Sequence, residues 1–153
     1  MEAQSLTPSA PGKTRLKVCG ILYIVFGGLS FMVGLYAMFG FVALSRLGGA
    51  AMWEEVGMTA ALAFAISFGV LVQSGFSIFV GVMAATYAAV IEKATFLRAI
   101  IIIHAAILLL TIIAEFMVEF SPLSVFGFVV PIIAFIGAQQ NVRAHKLEIT
   151  PKG

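Results

Sequence analysis

Residues 18–44 read VCGILYIVFGGLSFMVGLYAMFGFVAL, and none of them carries a charge. A helix needs roughly 20 apolar residues to cross about 30 Å of hydrocarbon, so this run is long enough by itself. Three further apolar stretches follow, at 60–91, 95–118 and 122–140. Continuous apolar runs point to helices, because a membrane β-barrel shows alternating segments of about 10 residues. Short turns between consecutive spans force neighbours to run in opposite directions. The sequence therefore predicts an all-α membrane protein, a four-transmembrane-helix antiparallel up-down bundle.

Composition agrees with that reading. Hydrophobic residues make up 61% of the 153 positions and charged residues 10%, too few to cover the surface of a soluble domain. The formal net charge of +2 gives no nucleic-acid partner. The single cysteine, Cys19, allows no intrachain disulfide, and no Cys/His metal cluster can be built. No cofactor is implied.

The stretches outside the spans set the organisation. Residues 1–16 carry Pro8 and Pro11 among small polar residues and are expected to form a disordered cytoplasmic tail. Lys13, Arg15 and Lys17 before an apolar run resemble a signal peptide. The run is too long for a signal core of 7–15 residues, so an uncleaved first span is expected. Residues 17–142 form the transmembrane domain, with a loop at 45–57 that holds Arg46, Gly48, Gly49, Trp53, Glu54 and Glu55. Glu92 and Lys93 mark a tight turn. Ser121 is placed to cap the fourth span, with Pro122 as its first helical residue. Residues 143–153 make a second cytoplasmic tail.

Basic residues give the orientation. Lys13, Arg15, Lys17, Lys93, Arg98, Arg143, Lys146 and Lys152 fall on one side of such a bundle and Arg46 on the other. That asymmetry places both termini in the cytoplasm. The expected location is a bacterial inner membrane, multi-pass.

Two groups of residues invite a functional reading. The first is small residues. Gly28 to Gly34 (GLSFMVG) and Gly75 to Gly81 (GFSIFVG) form a weak internal repeat. On a straight helix Gly20, Gly27, Ser30, Gly34 and Ala37 share a face, as do Ser74, Ser77, Gly81, Ala84 and Ala88. Small faces let helix backbones approach closely, which drives association in lipid. Inverted repeats also occur in transporters, but shared packing chemistry is the simpler source of this one.

The second group is polar. His104, Thr111 and Glu115 lie within about 40° of one another on the third helix, a stripe that could relay protons or hold a cation. The plainer reading has His104 bonding a neighbour and Glu115 reaching outer water. Gln73, deep in the second span, is expected to hydrogen-bond across helices, and Pro131 to kink the fourth. No nucleophile–base constellation, paired intramembrane aspartates or phosphate loop is present.

The run from Gly20, Ile21, Leu22 and Tyr23 to Gly34, then Ser77 to Gly81 and the short turn at Glu92 and Lys93, resembles small uncharacterised four-helix integral membrane proteins of bacteria. That resemblance implies the four-span fold and no activity. The leading expectation is a non-enzymatic protein acting through helix packing, as a homo-oligomer or an accessory subunit of another membrane protein in the lipid bilayer. The alternative is a small transporter or channel for protons, cations or a small solute, built on the polar stripe.

Overall fold

The computed structural model describes residues 10–55, 60–116 and 127–149, the side chains of 49–55, 60, 114–116 and 148 excepted. These residues form four α-helices: α1 (Lys13–Glu55), α2 (Ala60–Tyr87), α3 (Ala94–Phe116) and α4 (Val129–Ile149). A 3-10 turn, Ile91–Lys93, precedes α3, and no strand occurs among the described residues. Three helical stretches are long and apolar enough to cross a membrane: Lys13–Gly48, Ala61–Tyr87 and Ile91–Ile113.

Several boundaries differ from the sequence reading, each for a local reason. The first helix starts earlier than the expected span. Leu16 N–H donates to the Gly12 carbonyl at 3.0 Å, and Leu16 is fully buried, so residues 13–16 are helix rather than disordered tail. Residues 1–9 of that tail lie outside the described residues. The helix also continues through most of the loop expected at 45–57, as far as Glu55. No proline interrupts that stretch, and Leu47, Ala50, Ala51 and Met52 are strong helix formers. At 43 residues α1 is about 65 Å long, roughly twice the hydrocarbon thickness.

The second helix ends at Tyr87 instead of 91, because Val90 is extended (φ −95°, ψ 98°). Val90 N–H closes a turn onto Tyr87 and Lys93 N–H onto Val90, at 3.0 and 3.1 Å, which gives the expected tight turn at Glu92 and Lys93. The Ser121 cap and Pro122 start lie outside the described residues. Pro131 falls in the first turn of α4, where a missing N–H leaves no helical bond unmade, so it is not the mid-helix kink expected. Helix α4 runs on through Gln139 and Arg143 to Ile149, so the polar segment that closes it is helical.

The chain divides into two compact units, Met1–Ile24 with Phe79–Gly153, and Val25–Ile78. The core of the first unit is Leu16, Cys19 and Tyr23 of α1, Val80, Ala84 and Ala88 from α2 and the turn after it, Ile91, then Leu97 and Ile101 of α3 and Ala134, Ala138 and Val142 of α4. Four of these buried residues are alanines, Ala84, Ala88, Ala134 and Ala138, and small side chains let backbones close up and gain dispersion contacts. The large apolar side chains point outward instead: Ile21, Phe26, Leu29, Phe39, Ile103 and Leu110 are all exposed. An apolar exterior over a core of small residues is what a lipid solvent permits.

Candidate functional site

The small-residue faces bring α1 and α2 into close contact. In the first unit, a methyl group built on Gly20 would stand 2.7 Å from the Ala85 amide nitrogen and 2.8 Å from the Gly81 carbonyl oxygen. One built on Gly81 would stand 2.7 Å from the Gly20 carbonyl and 2.9 Å from Tyr23 Cβ. Backbone therefore lies against backbone, and only glycine fits at either position.

In the Val25–Ile78 unit the same device recurs at lower compression. A methyl on Gly27 would meet Ile78 Cγ1 at 3.0 Å and Ser77 Cβ at 3.1 Å, and one on Gly34 would meet Leu71 Cδ2 at 3.0 Å. Phe41 then packs on Phe64, ring centroids 5.9 Å apart. Each step of seven along α1 is matched by a step of seven back along α2: 27 with 78, 34 with 71, 41 with 64. A seven-residue contact period is that of a left-handed supercoil.

This period separates members of the proposed stripe. Gly27 and Gly34 are buried, whereas Ser30 and Ala37 are exposed. Phe31, four residues after Gly27, is half-buried, whereas Ser30, three after it, is exposed. Ser74 is buried and donates to the Val70 carbonyl of its own helix at 2.7 Å, and Ser77 is half-buried. The two copies of the internal repeat behave alike: Gly34 and Gly81 at their ends are tightly packed, while Gly28 and Gly75 at their starts face open space.

Of the polar stripe, His104 is buried at 1% exposure, with its ring edge-on to Tyr23 at 5.0 Å between centroids. The pair closes the first unit's core, one turn beyond Cys19 on α1. Thr111 is half-buried, and its hydroxyl donates back to the Ile107 carbonyl at 3.1 Å. Glu115 belongs to α3, and its side chain lies outside the described part. Gln73 is half-buried in the other unit, on α2. His104 and Thr111 thus share a helix without sharing an environment. Among the described residues no three of His, Cys, Asp and Glu gather as metal ligands.

Sequence reasoning missed one polar centre. Asn141 on α4 is fully buried. Its Oδ1 accepts from Gly12 N–H at 2.7 Å, and its Nδ2 donates to the Ala88 carbonyl at 3.1 Å. One amide thus satisfies the first backbone donor of α1 and a carbonyl just past the end of α2, groups that every helix leaves orphaned. Gly12 packs directly on the Gly137 carbonyl, and a methyl on Gly137 would stand 3.1 Å from Arg15 Cβ. Nearby, Arg98 of α3 donates from Nη1 to Gln139 Oε1 of α4 at 3.1 Å. The signal for this centre was available only in part: Gly137 and Asn141, one turn apart, place a small residue and an amide on one face.

An all-helical architecture with three membrane-length apolar helices and an apolar exterior defines a membrane protein. No family model matches the chain, and neither the curated proteins nor the solved structures give a match.

Proposed function

We propose that the chain is a non-enzymatic four-span protein of a bacterial inner membrane, an antiparallel bundle with both termini cytoplasmic, that acts through helix packing as a homo-oligomer or an accessory subunit. The observation that carries this reading is how the polar groups of the helices are spent. Ser67, Ser74 and Thr111 all donate to the carbonyl four residues back in their own helix, and Asn141 joins backbone ends. The three hydroxyls are thereby satisfied within their own helices, and the amide ties the helix ends together, neither of which calls for a solute. The fourth span is the apolar stretch at 122–140, of which residues 129–140 belong to α4. Its orientation follows from the basic residues around Lys13, Lys93 and Arg143.

The test is assembly in the membrane. The protein, reconstituted into lipid nanodiscs and cross-linked in native membranes, is expected to give a discrete species larger than one chain. A monomer in both settings, together with proton or cation flux in proteoliposomes, would overturn the proposal. Such flux would favour the alternative, a small transporter using the helix-three stripe. That alternative draws on His104, because an ionisable side chain inside a span is a common mark of function.

A further inference from the structure

The charged end of the first unit has a face whose chemistry changes sharply along the helix axis. On α4, Gln139, Arg143 and Lys146 are spaced i, i+4 and i+7, so they share one side. Directly toward the apolar end, the same side carries Ile136 and Ile132, which are 42% and 52% exposed. Helix α3 repeats the pattern: Arg98 is followed on its face by Ile102 and Leu109, 49% and 50% exposed. The two faces are joined at their polar ends by the Arg98–Gln139 hydrogen bond.

That bond fixes the Arg98 guanidinium while occupying one of its five donors. Arg143 is exposed one turn beyond Gln139, and neither arginine pairs with a carboxylate among the described residues. Glu148, five residues beyond Arg143 on α4, has its side chain outside the described residues, and Glu92, six residues before Arg98, is exposed on the preceding turn. Two guanidinium groups with spare donors, next to an exposed aliphatic strip, form an amphipathic site of matching length: phosphate at one end, hydrocarbon at the other. A free anion would use only the polar half of it.

We propose that the α3–α4 face around Arg98, Gln139 and Arg143 binds the phosphate headgroup of an anionic phospholipid, whose acyl chains lie along Ile102, Leu109, Ile132 and Ile136. The inference rests on placing this charged end at the membrane–water boundary.

The experiment incubates the detergent-purified full chain with mixed micelles of phosphatidylcholine and phosphatidylglycerol and counts retained lipid by native mass spectrometry. Phosphatidylglycerol is expected to be retained preferentially. Arg98→Gln and Arg143→Gln should each lower that preference about fivefold, and Arg46→Gln should leave it unchanged. Arg143 is exposed, so its variant keeps the core intact, and circular dichroism checks the helix content of each protein. Excess inorganic phosphate is expected not to displace the lipid.

Equal retention of the two lipids, an unchanged preference in the Arg98→Gln/Arg143→Gln double variant, or displacement by inorganic phosphate would each overturn the proposal. Flotation separates this from failure of the membrane placement. Protein that floats with vesicles of either lipid but shows no preference sinks the site alone, and protein that floats with neither sinks the placement as well.

Discussion

Replacing Gly81 by alanine adds one methyl group and should unsettle the molecule more than that size suggests. The new Cβ would stand 2.7 Å from the Gly20 carbonyl oxygen and 2.9 Å from both Ile24 Cγ1 and Tyr23 Cβ, where ordinary contact begins at 3.4 Å. The shortfall against the carbonyl is 0.7 Å. It cannot be relieved by rotating a side chain, because the obstacle is backbone. The helices must separate, and Gly20, wedged against Gly81 and Ala85, loses its own contacts as they do. Overpacking of this kind costs about 1–3 kcal/mol.

Gly75→Ala is the internal control. It opens the copy of the sequence repeat that Gly81 closes, on the same helix, with nothing within 4 Å of the added carbon. Alanine there should be neutral or stabilising by up to about 1 kcal/mol, because glycine is the weaker helix former. Reversible unfolding in mixed SDS micelles, followed by circular dichroism, reads both variants on one scale. Equal stability of the Gly81→Ala and Gly75→Ala proteins would refute the close-packing argument.

Three further outcomes are expected. Asn141→Leu leaves the Gly12 N–H and the Ala88 carbonyl without their partner and should destabilise by about 2–5 kcal/mol in the same unfolding assay, whereas Gln140→Leu, one residue away, should cost much less. Tyr23→Phe should be neutral or stabilising by about 1 kcal/mol, because the buried Tyr23 hydroxyl has no hydrogen-bond partner among the described residues and the ring contact with His104 survives. Glu115→Gln should leave proteoliposome conductance at the wild-type level, which under the packing reading is no more than that of empty vesicles; an ion flux in the wild type that the variant loses would revive the transporter reading.

Much of the architecture could be read from the chain because lipid imposes one rule, that backbone groups bond within their own helix. The apolar runs at 18–44, 60–91 and 95–118 each became the body of a helix. Their ends were harder, because ends are set by local backbone geometry: Val90 stops α2 by adopting an extended conformation, and nothing stops α1 at Ser45. The packing glycines were legible as types, but their faces were not. A straight-helix projection groups Ser30 with Gly27 and Gly34, whereas the seven-residue contact period leaves Ser30 outside. The Asn141 centre escaped because its meaning depends on Gly12, 129 positions earlier, and no local pattern carries a pairing that distant.

That separation bears on how the protein is made. The amide of Gly12 is synthesised before α1, and the side chain that accepts its hydrogen bond emerges only after α1, α2 and α3 are complete. Until then the start of α1 and the Ala88 carbonyl lack the group that joins them, and water must serve in its place. Closure of the charged end therefore waits on delivery of α4. A nascent chain halted before Asn141 should hold its helices in the membrane while the segment around Gly12 stays open to proteases and to membrane-impermeant labels, and synthesis through α4 should shut that access in one step.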